Sequence, residues 1–80
     1  MTEATTEVGQ YTFVVKECPV PNGPPRLVLE PTGKQISILR DASLGFNLRE
    51  GTTLQRAHEI ARYLNTEMDS VACTMFLVDW

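Results

Sequence analysis

Alternation of apolar and polar side chains predicts that ordered structure begins near residue 10. Tyr11, Phe13 and Val15 occupy every second position of QYTFVVKE, the period of a strand with one face on a core. The same period recurs in RLVLE (26–30), KQISILR (34–40) and LGFNLR (44–49). Together, these four segments predict a meander of antiparallel strands.

Proline and glycine mark the turns between these segments. The segment CPVPNGPP (18–25) contains four of the five prolines, which remove backbone donors and fix dihedral angles, so it predicts a surface loop. This loop is either a stiff connector or a polyproline segment that docks on an aromatic groove through Pro21 and Pro24. The later PTG predicts a type I turn and a hairpin, whose second strand would point Ile36 and Ile38 inward.

A change to a period of three to four residues predicts one helix after residue 50. Thr52 and Gln55 have the spacing of a capping box, in which each side chain bonds the backbone of the other, so we expect the helix to begin at Thr53. Its apolar positions form a single stripe: Leu54, Ala57, Ile60, Ala61, Leu64 and Met68. We expect this stripe to face the sheet and the helix to end at Asn65 or in the polar run TEMDS.

The last segment, SVACTMFLV, is apolar at nearly every position, as expected of a strand covered on both faces. Because the helix returns this strand beside the first, the connectivity favours a sheet of four to five strands in the order 5-1-2-3-4. The predicted fold is α+β, with two layers: an antiparallel sheet and one helix packed on one face. Residues 1–9 predict a disordered tail, which leaves residues 10–80 as a single globular domain.

The helix contains a possible metal-binding motif in RAHEIARYLN. A zinc-protease helix needs two histidines four residues apart, but His58 is the only histidine and Arg62 stands at the second position. A guanidinium does not bind zinc, so we expect no metal site. The sequence also has no GxSxG, GxxxxGK(S/T), GxGxxG or CxxC motif, so we expect no cofactor and no catalytic residue. Glu59 is expected to form surface ion pairs with Arg56 and Arg62. The alternative is a small-ligand site or an enzyme site near His58, Arg62 and Tyr63.

Charge and composition argue against two further classes of function. The chain has a net charge of -3 and its seven basic residues are scattered, whereas nucleic-acid binding needs a cationic patch. No apolar run approaches the roughly 20 residues of a membrane helix, and the first residues do not resemble an export signal. We therefore predict a cytoplasmic protein in which Cys18 and Cys73 stay reduced.

One helix covers one side of the predicted sheet, and the opposite side also carries apolar side chains. The candidate interface residues on that side are Val14, Val28, Leu39, Phe76, Val78 and Trp80. With the last strand beside the first, Val14 and Phe76 would be neighbours in an apolar patch of the kind that marks interfaces. The leading hypothesis is a non-catalytic protein that binds another protein or forms a homodimer, either by packing these faces or by pairing an exposed edge strand. Alternatively, the apolar residues of the last strand pack under the Pro-rich loop.

Overall fold

The structure, a computed structural model, describes residues 2–18, 20–21 and 23–78. Within these ranges the chain forms five strands and one helix: β1 (Thr2–Gly9), β2 (Tyr11–Lys16), β3 (Arg26–Pro31), β4 (Gly45–Asn47), α1 (Leu54–Glu67) and β5 (Val71–Val78). A 3₁₀ turn, Ser37–Leu39, lies between β3 and β4. The strands form two antiparallel sheets beside the one helix, so the predicted α+β class is confirmed.

The larger sheet has the strand order β2-β3-β4, and α1 packs against β2 and β3. Leu27 and Leu29 of β3 are buried, Leu27 with only 2% of its surface exposed. Ala57 and Ala61 are the buried residues of α1, and their small side chains let the helix approach the sheet closely. We call β2, β3, β4, α1 and residues 32–44 the body.

The other two strands, β1 and β5, form a two-stranded antiparallel sheet that we call the ribbon. All eight residues of each strand are paired, from Thr2 opposite Val78 to Gly9 opposite Val71. β1 leads into β2 through the single residue Gln10. The molecule measures 47 × 28 × 19 Å, and its radius of gyration is 15.3 Å, against about 12 Å for a compact chain of this length. The molecule is therefore elongated.

The N-terminal residues differ from the prediction of a disordered tail over residues 1–9, because Thr2–Gly9 form β1. This segment has too few large side chains to build a core, but β-branched threonine and valine favour extended backbone. The apolar β5 provides the pairing partner that completes the strand. Because β5 pairs with β1, it does not lie beside β2 as the predicted strand order requires.

The predicted third strand is absent from the described residues, because the chain bends into the 3₁₀ turn instead. Ile36 is buried, whereas Ile38, also predicted to point inward, is 53% exposed. Leu39 packs against the core cluster that contains Ile36, so the inward spacing is three residues, the repeat of a 3₁₀ turn. β3 therefore pairs on its second side with β4, the predicted fourth strand.

The helix is capped one residue later than the capping box predicts. The Thr53 side chain accepts a hydrogen bond from the Arg56 N–H at 3.1 Å. The Thr52 hydroxyl instead donates to the carbonyl of Arg49 at 2.7 Å. Thr52 closes the turn before the helix, and Thr53 is left to cap it. The helix ends at Glu67, inside the polar run that predicts its end.

The Pro-rich segment joins β2 to β3, as expected of a loop. Pro19 and Asn22 lie outside the described residues. The described part of the loop lines a cavity together with Thr52 and Leu54 at the start of the helix. The residues beside the loop are thus those of the helix start, while β5 is paired with β1.

One core cluster joins the ribbon to the body. Its buried members are Tyr11, Leu29 and Ile36, and Val71 and Cys73 of β5 pack against it. The Tyr11 hydroxyl accepts a hydrogen bond from the Ile36 N–H at 2.9 Å, which satisfies a buried backbone donor. The ribbon is therefore anchored at its body end, where β5 begins.

Candidate functional site

The ribbon has an inner and an outer face, because residues directly opposite one another on antiparallel strands share a face. Glu7 lies opposite Cys73, and Thr5 lies opposite Met75. These four residues line a cavity of about 180 Å³ together with Ile36 of the body. The inner face is therefore the one that lies against the body.

The outer face of the ribbon is exposed and mostly apolar. Its described cross-strand pairs are Val8 with Ala72, Thr6 with Thr74, and Ala4 with Phe76, and all six residues are exposed. The hydroxyl oxygens of Thr6 and Thr74 lie 2.9 Å apart and share a hydrogen bond. Phe76 is 66% exposed. Exposed aromatic side chains in apolar surroundings are typical of interfaces, so this face is a candidate interaction surface.

Glu7 fastens β1 to the 3₁₀ turn. Its Oε2 atom accepts hydrogen bonds from the N–H and the hydroxyl of Ser37, both at 2.9 Å. The backbone bond and then the hydroxyl bond of Ser37 lower the pKa of the Glu7 carboxyl; desolvation raises it by less than either bond lowers it, and the charges of Lys34 and Arg40 lower it slightly further. Each lowering contribution favours the charged form, so Glu7 holds the ribbon to the body as a carboxylate at neutral pH.

The outer edges of the two sheets differ. On β2, the Asn65 side chain bonds the backbone of Phe13 twice: Oδ1 accepts from the N–H at 2.7 Å, and Nδ2 donates to the carbonyl at 3.1 Å. A neighbouring strand would make the same two bonds, so α1 blocks this edge at Phe13. On the ribbon, no described residue pairs with the outer edge of β5. Among the described residues, the amide and carbonyl groups along that edge have no backbone partner.

The interface candidates do not form one patch. Val14 lies in the sheet of the body, whereas Phe76 lies opposite Ala4 in the ribbon. Because β5 pairs with β1 and not with β2, the strand order that predicts a contact between Val14 and Phe76 is wrong. The side chain of Val78 and the whole of Trp80 lie outside the described residues.

Val28 and Leu39, two further interface candidates, line one cleft of about 610 Å³ on the body. An ion pair between the Lys16 ammonium and the Glu30 carboxylate, 3.4 Å apart, belongs to the same lining. Arg40 also lines this cleft. Charges are depleted at the centres of protein interfaces, so this cleft suits an apolar interface less well than the ribbon does.

The three ligand-binding candidates are only partly brought together. His58 and Arg62 line a cleft of about 580 Å³ between α1 and β2, which includes Val14. Tyr63 does not line this cleft and is 67% exposed. The structure thus groups two of the three candidates, with an apolar strand as the opposite wall.

The remaining polar groups of the helix form an ordinary surface. The expected ion pair between Arg56 and Glu59 is confirmed, with Nη1 and Oε2 3.1 Å apart. Within the part of the chain that the structure describes, Glu59 makes no such pair with Arg62, and no three His, Cys, Asp or Glu side chains gather as possible metal ligands. Cys18 and Cys73 are free and half-buried thiols.

Two features of the candidate surface are not predicted from the sequence. β1 has a weak signal, its β-branched residues Thr2, Thr5, Thr6 and Val8, which favour a strand but do not identify its partner. The blocking of the β2 edge by Asn65 has no sequence signal, because Asn65 and Phe13 are 52 residues apart. Only the packing of α1 on β2 brings the two together.

Comparison of the chain with protein-family models, curated proteins and solved structures yields no significant match. No helix among residues 2–18, 20–21 and 23–78 is long and apolar enough to cross a membrane. The ribbon and the two clefts are therefore the features from which a function can be inferred.

Proposed function

We propose that this chain is a non-catalytic protein–protein association module that binds through the ribbon. The observation that supports it is the ribbon's exposed apolar outer face beside the outer edge of β5, with which no other described residue pairs. A two-stranded antiparallel sheet is marginally stable in water by itself, and the body supports its inner face alone. A partner on the outer face or on the β5 edge would supply the missing packing or pairing.

Phe76 is the expected anchor of the association. With 66% of its surface exposed, complete burial would remove roughly 100–170 Å² of apolar surface from water, worth about 2.5–4 kcal/mol. A contribution of that size is typical of the few residues that dominate an interface. Val8, also exposed, would add apolar area on the same face.

The proposal includes the cytoplasmic location and the lack of nucleic-acid binding expected from the sequence. The two free thiols suit a reducing compartment. Two glutamates in the sequence of β1 place negative charge on the ribbon, which would repel phosphates.

A charge at position 76 tests the proposal. Phe76→Glu should abolish association without unfolding the monomer, because the side chain is mostly in water already. Tyr63→Glu is the matched control, since it introduces the same charge at an aromatic residue of nearly equal exposure on α1. Sedimentation of the purified proteins and affinity capture from lysate of the source cells would compare the three chains.

Two results of that comparison would contradict the proposal. If the parent and both variants sedimented alike and captured the same proteins, the ribbon would not be a binding surface. If association were lost in Tyr63→Glu alone, the interface would lie on α1. Far-UV circular dichroism of each variant confirms that a loss of binding is not a loss of fold.

A second proposal, a small-ligand site, is supported by the cleft that His58 and Arg62 share. A cationic guanidinium beside an apolar strand would suit a small ligand with an acidic and an apolar end. A thermal-shift screen should then find acidic ligands that stabilise the parent, with the effect lost in His58→Ala and kept in Tyr63→Ala, because Tyr63 does not line the cleft. Stabilisation that survives His58→Ala would place the ligand elsewhere.

A further inference from the structure

We infer that the partner of the ribbon is a second copy of this chain, paired antiparallel through the outer edge of β5; this inference rests on the proposed function. The pairing joins two ribbons into one four-stranded sheet with the order β1-β5-β5-β1. Backbone hydrogen bonds between the two β5 edges hold the copies together, and packing of the outer faces does not.

Just beyond β1, the Gln10 N–H donates to the Lys34 carbonyl at 2.9 Å. Within the ribbon, no backbone bond from another described residue reaches the outer edge of β1 or of β5, so the choice between the two edges rests on their side chains. A strand edge in this state is a template for another strand.

The charge pattern of the two strands points to the edge of β5. The sequence of β5, VACTMFLV, has no charged residue, whereas that of β1 contains Glu3 and Glu7. Symmetric pairing through β1 would bring like charges of the two copies together, which is destabilising. Symmetric pairing through β5 brings none together. β5 also lacks the lysine, proline or bulge that usually protects an exposed edge from pairing.

Two-fold symmetry makes the β5 edge complementary to itself. In an antiparallel pair related by a two-fold axis, each copy offers the other the same row of donors and acceptors. An axis near the middle of β5 places Phe76 of each copy beside Ala72 or Thr74 of the other, on the outer face. These smaller side chains leave room for the aromatic ring. The resulting sheet has four strands, and an independently stable sheet generally needs three or more.

Sedimentation equilibrium combined with amide hydrogen exchange tests this inference on the intact chain. In a lone ribbon, alternate amides of β5 bond β1 and the others point to solvent. An edge-paired dimer bonds both sets. The expected result is a species of about 18 kDa, twice the 9.0 kDa of one chain. In it, the outward amides of residues 72–77 should exchange at least about 100-fold more slowly than in the dilute monomer.

Two variants test the link between the mass and the exchange rates. Phe76→Glu should return the chain to 9.0 kDa and restore fast exchange of the outward amides. Tyr63→Glu should keep both the dimer mass and the slow exchange.

Two outcomes would contradict edge pairing between two copies, and each can be told apart from a failure of the proposed function. A dimer in which only alternate amides of β5 are slow would be packed through faces, so edge pairing would be wrong although association through the ribbon stands. A monomer at every concentration would exclude a second copy as the partner. In that case, Phe76-dependent capture of a different protein would still support the proposed function, and its absence would contradict both.

Discussion

The outer edges of β2 and β5 differ within one small molecule: the helix blocks the edge of β2, whereas no described residue pairs with that of β5. At β2, one amide side chain from the helix satisfies both backbone groups of Phe13, so the strand ends the sheet without leaving those groups free. At β5, no described residue performs that role, and the strand also keeps Phe76 in water. The difference shows that an apolar sequence does not by itself ensure that a strand is covered. A strand is covered only where the fold packs another element against it.

The largest expected effect contrasts the core of the body with the ribbon surface. Leu27→Ala should lower the free energy of unfolding by about 2–5 kcal/mol, because Leu27 is 2% exposed and its truncation leaves a cavity. Phe76→Ala should cost the monomer less than about 1 kcal/mol, because most of the ring is already hydrated. Urea unfolding at one low protein concentration measures both. Equal losses would mean that the ribbon is as well packed as the body.

The junction between ribbon and body should be the next most sensitive point. A β-carbon at Gly9 would lie 2.7 Å from the Lys34 carbonyl oxygen and 2.7 Å from the ring of Tyr11. Gly9→Ala must therefore shift the backbone, and we expect a loss of about 1–3 kcal/mol.

The control for this prediction is Gly45→Ala in β4, where the nearest atom to an added β-carbon is 3.9 Å away. This change should be neutral or slightly stabilising, because alanine restricts the unfolded chain more than glycine does. Thermal or urea unfolding compares the two variants. A neutral Gly9→Ala would show that the ribbon can move on the body without loss.

Removing the amide that blocks β2 should make its edge resemble that of β5. Asn65→Ala leaves the half-buried N–H and carbonyl of Phe13 without their partner, so we expect a loss of about 1–2 kcal/mol and faster exchange of the Phe13 amide. Thr66→Ala is the control, since its hydroxyl bonds only the exposed Arg62 carbonyl within the helix. Unchanged exchange at Phe13 in Asn65→Ala would mean that other groups protect this edge.

The smallest expected effect is the pH dependence of the Glu7 attachment. Hydrogen bonds from Ser37, with Lys34 and Arg40 nearby, lower the pKa of the folded carboxyl. Its stabilising contribution is therefore complete above the ordinary glutamate pKa of about 4.3 and is lost as the pH falls through the lowered folded pKa. The stability difference between the parent and Glu7→Gln should shrink over that acidic range. A difference independent of pH would contradict a role for the charge.

Local pattern predicts much of the body and little of the candidate surface. The pairing of the first two predicted strands, the single helix and the ion pair on its surface follow from spacing along the chain, because each depends on residues close in sequence or on a regular apolar period. The predicted third strand is wrong for a local reason. Ile36 and Leu39 point inward at a spacing of three, but the same segment also shows the alternation by two that is typical of a short strand. β1 escapes prediction because its partner, β5, begins 62 residues after β1 ends.

The sequence by itself determines the α+β class, the helix after residue 50, and an uncharged apolar segment at residues 71–78. These properties follow from side-chain size, backbone preference and period, which act over a few residues at a time. Only the tertiary structure decides which strand pairs with that segment and which edge remains open. Strands pair through backbone groups that every residue carries, so the sequence does not identify the pairing partner. The partner depends on which backbone groups the packing of α1 and the turn at residues 37–39 leave uncovered.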